Sequence, residues 1–210
     1  MQFDLWLTFV AASSVLLLIP GPTILLVLSY ALSQGRQVAI ASAAGVALGD
    51  LIAITASLMG LGALVLASAT AFMIVKYIGA AYLIWMGVKL LISAQKGATY
   101  LPGATATTSP KAIFRHTAAV TALNPKSIGF FIAFVPQFIH PEAALAPQFA
   151  IIIATFVGLA ALNALAYALL ADRLRRFIAQ PAAIRWLTRG GGVALITMGA
   201  ITATLRRSTP

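Results

Sequence analysis

The chain has 210 residues, of which 61% are hydrophobic and only 9% charged, with a formal net charge of +10 and no cysteine. Soluble domains run near 45–50% apolar and about 25% charged, so a soluble globular protein is excluded and an integral membrane protein is indicated. At roughly 20 apolar residues per span, the whole of residues 1–210 makes one transmembrane domain of about six short-looped helices.

The absence of cysteine excludes disulfides, thiolate metal sites and cysteine nucleophiles. The basic residues sit at the ends of apolar segments. Orientation in the bilayer and anionic lipid headgroups account for them there, so the expected charged partner is the bilayer and not nucleic acid. Met1 to Asp4 lacks a positive n-region and the apolar run after it is too long for an h-region, so no cleavable signal peptide is expected.

Segment one runs from about Leu5 to Leu32. A straight helix of that length measures about 42 Å, well beyond a hydrocarbon core of roughly 30 Å. Pro20-Gly21-Pro22 lies in its middle and predicts a kinked or unwound break near the bilayer midplane. Segment two, about Val38 to Ala67, carries glycines for close helix approach and one deep acid, Asp50. An intramembrane carboxylate takes up a proton or finds a partner, and marks a functional position by default. Segment three spans about Ala71 to Ile92, with Lys76 and Tyr77 at its entry and Trp85, Met86 and Lys89 toward its exit as interfacial anchors.

A polar Thr/Gly/Pro-rich loop over residues 94–112 follows, with the chemistry of a flexible connection. Segment four, about Phe114 to Ile139, contains LNPKSIGFFIAFVPQF, which holds Asn124, Lys126 and Gln137 together with two prolines. A lysine costs about 2.5–3.5 kcal/mol at a helix centre in lipid. Pro125 and Pro136 each remove a backbone donor, so the segment is expected to be broken twice, and broken backbone survives at that depth only inside protein or beside a watery cavity. Segment five covers about Pro147 to Leu170 and includes Asn163 and Tyr167; segment six covers about Trp186 to Leu205. Ten basic residues flank the loops after the odd-numbered segments against three on the opposite side, which places the odd loops in the cytoplasm.

The two halves repeat. GVALGD (Gly45 to Asp50) matches GLAALN (Gly158 to Asn163), and GAAYLIWMG (Gly79 to Gly87) matches GGVALITMG (Gly191 to Gly199), at nearly constant offsets. Pro20-Gly21-Pro22 likewise falls over Asn124-Pro125-Lys126. Repeats of three spans have opposite orientation in the membrane, so the expected architecture is all-α, a 3+3 inverted repeat of residues 1–93 and 113–210. Its broken helices are segments one and four, as in secondary transporters whose sites lie near the midplane.

These stretches, IPGPTILLVLSYALSQGR (Ile19 to Arg36), YIGAAYLIWMGVKLL (Tyr77 to Leu91) and LNPKSIGFFIAFVPQFI (Leu123 to Ile139), together resemble the LysE/RhtB family of bacterial amino-acid exporters. The match runs in order over essentially the whole chain. It implies a multi-pass inner-membrane protein that expels amino acids or derivatives by proton antiport, with cargo that differs among members: homoserine and threonine, lysine and arginine, branched-chain amino acids, cysteine derivatives.

From the residues themselves, the expected substrate site joins Pro20, Gly21, Pro22, Asn124, Pro125 and Lys126 at the two breaks with Asp50, Asn163 and Tyr167. The exposed helix N-termini and Lys126 suit a carboxylate. Asp50 suits an ammonium, a pairing with Lys126, or the coupling proton. Gln137 lies farther out, at an outer gate or as a cap on Pro136. No cofactor or metal is expected, because no His/Asp/Glu cluster has ligand spacing, and the same inventory lacks the acid–base pairs of an enzyme. A cation or metal exporter and a non-transporting membrane scaffold are the alternatives. Lys126 in the path opposes the first and the matched breaks oppose the second. A homo-oligomer is compatible with this composition.

Overall fold

The computed structural model describes residues 1–95, 108–140, 143–171, 173 and 181–204, and within these the chain is helical throughout. Its elements are α1 (Phe3–Leu18), α2 (Pro22–Gln34), a 3-10 turn (Arg36–Val38), α3 (Ala39–Ala67) and α4 (Ala69–Gln95). They continue with α5 (Pro110–Ala122), α6 (Pro125–Ala133), a second 3-10 turn (Val135–Phe138), α7 (Leu145–Leu169) and α8 (Pro181–Thr204). The order is a broken pair followed by two long helices, twice over. The expected loop at 94–112 falls largely outside the described residues.

Among the described residues three helices are long and apolar enough to cross a membrane: Ala39–Ala63, Met73–Ala94 and Leu145–Leu169. The pair α1–α2 meets the same criterion when taken together, bent by 56° at its break. The other two expected segments are occupied by α5–α6 and by α8.

Proline starts helices here more than it bends them. Pro22, Pro110 and Pro125 each stand in the first turn of a helix, where the missing N–H costs nothing and the fixed φ is already helical. The break in segment four therefore lies before Pro125, at Leu123 and Asn124, and Asn124 caps the new helix by accepting from the Lys126 backbone N–H at 3.0 Å. Pro136 sits inside the second 3-10 turn.

Small residues set the spacing between helices. The most extensive packing is α4 against α8, followed by α3 against α5 and α3 against α7. A Cβ added to Gly87 would lie 2.6 Å from the Gly192 carbonyl and 2.7 Å from Ile196 Cγ1. One added to Gly199 would lie 2.7 Å from the Ala80 carbonyl and 2.7 Å from Ile84 Cγ1. A shift of 112 positions turns one set of neighbours into the other, and the order of the contacts makes the two helices antiparallel. Gly49 packs as closely on α5, where a Cβ would come 2.6 Å from the Ala118 carbonyl. Gly199→Val should accordingly push α4 and α8 apart and lower the thermal midpoint by about 3–10 °C. Gly190→Ala on the same helix, with nothing within 4 Å, should leave the midpoint nearly unchanged. Thermal unfolding of the purified protein in detergent measures both.

Lys76 departs from its expected role. Two turns into α4 it faces neighbouring helices and is only 6% exposed, whereas Tyr77 and Trp85 are exposed. Lys89 does behave as an anchor, its ammonium lying 4.4 Å over the Trp85 ring.

A block of phenylalanines closes one side of the centre. Phe9, Phe130, Phe131, Phe134, Phe138 and Phe156 are all buried and meet edge to face, tilted or stacked, with Phe131 and Phe156 centroids 4.7 Å apart and Phe9 and Phe138 centroids 5.2 Å apart.

Candidate polar site between the two helix breaks

The break in segment one leaves a helix end with too few donors. In an unbroken helix the Leu16 and Leu18 carbonyls would accept from residues 20 and 22, which are prolines and have no N–H. Side chains from the second half of the chain supply the donors instead. Lys126 Nζ donates to the Leu16 carbonyl at 2.9 Å and to the Ile19 carbonyl at 2.7 Å. Asn163 Nδ2 donates to Leu17 at 3.1 Å, and the Tyr167 hydroxyl donates to Leu18 at 3.1 Å. All four carbonyls of this last turn are thus satisfied, and each bond ties the first half to the second.

The second break is held from the opposite direction. Asn124, besides capping α6, donates from Nδ2 to Thr23 Oγ1 at 3.1 Å, and Thr121 donates to the same oxygen at 3.3 Å. Thr23 opens α2 just as Ser127 opens α6, so a hydroxyl follows each break.

A cavity lies between the breaks, lined by Leu17, Gly21, Thr23, Ile24, Val46, Asp50, Asn124, Lys126, Ser127, Ala160 and Asn163. Asp50 is 2% exposed and Lys126 7% exposed, so the cavity holds the two opposite charges away from lipid. Ser127 faces the Asp50 carboxyl, yet Asp50 Oδ1 has no hydrogen-bond partner. Among the described residues no ion pair joins Asp50 to Lys126. Lys126 spends two of its three donors on carbonyls, which leaves one N–H for the cavity. The cavity therefore presents one unused donor on a cation and one unused acceptor on an acid.

Of the residues expected at the site, Gly21, Asp50, Asn124, Lys126 and Asn163 line this cavity, and Pro20, Pro22 and Pro125 form the breaks beside it. Tyr167 stands just outside, on the Leu18 carbonyl. Gln137 is elsewhere: its Nε2 donates to Thr202 Oγ1 at 2.6 Å and pins the second 3-10 turn to α8. Sequence reasoning missed Thr23, Thr121 and Ser127. The signal for two of them was present, because Thr23 and Ser127 fall together at the same offset that superposes the breaks. Asp50 and Asn163, expected as counterparts, do different things here: an amide can donate to a carbonyl-rich helix end, whereas an ionised carboxylate cannot.

The LysE type translocator family matches residues 14–205 of this chain. The chain belongs to the LysE translocator family. This LysE-type translocator is 34% identical to the homoserine/homoserine lactone efflux protein of Salmonella typhimurium over 208 residues, covering 99% of this chain and 100% of the relative. It is 33% identical over 210 residues to an uncharacterized membrane protein of Vibrio cholerae, covering 98% and 100%. It is also 32% identical over 154 residues to the leucine efflux protein of an Enterobacter species, covering 72% of each. No solved structure matches it. The translocator is a transporter and not an enzyme, and it is a multi-pass protein of the bacterial inner membrane.

Proposed function

We propose that this translocator exports amino acids or close derivatives from the cytoplasm in exchange for inward-moving protons, through the cavity between the two helix breaks. The observation that carries this reading is the coexistence, in one buried cavity, of a lysine with a spare N–H and an aspartate with an unpartnered oxygen. A zwitterion complements both: its carboxylate meets Lys126 beside Asn124 and the N-terminus of α6, and its ammonium meets Asp50. Gly21, Thr23 and Ser127 border the same space. When the cavity is empty, Asp50 carries the coupling proton, since an unpaired carboxylate at this depth is stabilised by protonation.

The relatives named for homoserine, homoserine lactone and leucine support small α-amino cargo. A lactone keeps the ammonium but has no free carboxylate, so Asp50 is the contact common to both kinds of cargo. The antiparallel, exchangeable contacts of α4 and α8 support the inverted repeat, in which one half rocks against the other around the central site. With the odd loops in the cytoplasm, the phenylalanine block stands on the outer side of the cavity and closes it outward. Lys126 opposes a cation or metal as cargo.

Inside-out vesicles provide the test. With an imposed pH gradient, labelled homoserine, homoserine lactone or leucine is expected to accumulate, and an uncoupler is expected to abolish the accumulation. Equal uptake in vesicles with and without the protein, across a panel of amino acids, would overturn the reading of cargo; uptake indifferent to the uncoupler would overturn the proton coupling.

A further inference from the structure

We infer that the last turn of α1 is a monovalent-cation site, and that the ammonium of Lys126 is its built-in ion. The site is made of backbone. Leu16 and Ile19 offer carbonyl oxygens at 2.9 and 2.7 Å from Nζ, while the Leu17 and Leu18 oxygens between them are taken by the neutral donors Asn163 and Tyr167. The oxygens belong to the C-terminal end of a helix of 16 residues, where the aligned peptide dipoles present partial negative charge. Pro20 and Pro22 keep the turn open by withholding the N–H groups that would otherwise occupy it.

The ammonium is held here by carbonyls and not by a carboxylate. Among the described residues it has no ion pair, and the one acid in the cavity, Asp50, leaves an oxygen unpartnered. In transporters with discontinuous helices, half-helix C-terminal carbonyls of this kind coordinate the coupling sodium or proton. In this chain a side chain from the other half reaches across to fill the place. Gly21 lies directly beside it, where a Cβ would come into ordinary contact at 3.4 Å from Lys126 Cε and Nζ. A resident cation explains why the lysine is buried to 7% exposure against neutral partners, and it fixes the distance between the two halves at the break.

The ligand class follows. Once the lysine side chain is cut back, the vacated turn should take a small cation that can donate to two carbonyls: ammonium or methylammonium first, sodium less well. Stability reports this binding without any transported substrate, so the inference stands or falls separately from the export reading. Purified Lys126→Ala would be unfolded thermally in ammonium, methylammonium, sodium or choline chloride at equal ionic strength. The expected result is a saturable rise of about 3–5 °C in methylammonium or ammonium relative to choline, at a concentration tenfold above the dissociation constant. Wild type should show no such difference, and neither should Lys126→Met, whose apolar stem covers the turn. Should Lys126→Ala not fold, Lys126→Gln, which reaches one carbonyl at most, is measured in the same way. Identical midpoints in all four salts, or an equal rise in wild type, would overturn the inference.

Discussion

Replacing Lys126 with methionine is expected to abolish export and to destabilise the protein at the same time. Methionine keeps most of the apolar stem, so the effect isolates the ammonium. Its loss leaves the Ile19 carbonyl without its donor and the Leu16 carbonyl with only the 3.3 Å bond from the Ile19 N–H. A buried unsatisfied polar group costs about 1–3 kcal/mol and the weakened Leu16 carbonyl adds less, so the loss should cost about 2–4 kcal/mol. The break of segment one would then lose its strongest tie to the second half. Thermal unfolding should show a midpoint lower by about 5 °C or more, at roughly 2–4 °C per kcal/mol for a chain of this size. Amino-acid efflux from preloaded cells should fall to background. A variant with wild-type efflux would remove Lys126 from the proposed site, and one with a wild-type midpoint would remove it from the architecture.

Asp50→Asn is expected to separate the two properties. The aspartate is buried, but one of its oxygens has no partner, so the fold draws little from it. Asparagine has the same shape and cannot ionise, which should leave the midpoint within about 2 °C of wild type or raise it. Export depends on what asparagine lacks: it neither carries the coupling proton nor offers full negative charge to an ammonium. Efflux of amino acids should therefore fall by about tenfold or more, since losing a charge-assisted contact of roughly 1.5–3 kcal/mol corresponds to that range. Full efflux in a normally folded Asp50→Asn would exclude the acid from both proposed roles. The contrast with Lys126 is the useful part, because two opposite charges in one cavity are expected to fail in different ways.

Much of this layout was legible in the chain itself. The apolar segments and the placement of Pro20, Pro22 and Pro125 at helix breaks follow from hydropathy and from proline's missing N–H. So did the family resemblance, through the NPK and PQF stretch. The direction of Lys126 was not legible. A lysine beside a proline break suggests an anion hook, and the structure instead aims two of its donors at carbonyls more than a hundred positions earlier. Nor was it legible that Lys76, at a helix entry, faces its neighbours, or that Gln137 belongs to a contact with α8.

The sequence by itself determined that this is a helical membrane protein, with a break in the first segment of each half and a few polar residues placed where lipid would not tolerate them. These properties are local: transfer free energy, the missing proline N–H and glycine spacing act on neighbouring residues. Only the tertiary structure decided which donor satisfies which orphaned carbonyl, and that Asp50 keeps an oxygen to spare. Those pairings join residues from opposite halves, and a hydrogen bond depends on distance and direction in space, which spacing along the chain does not encode.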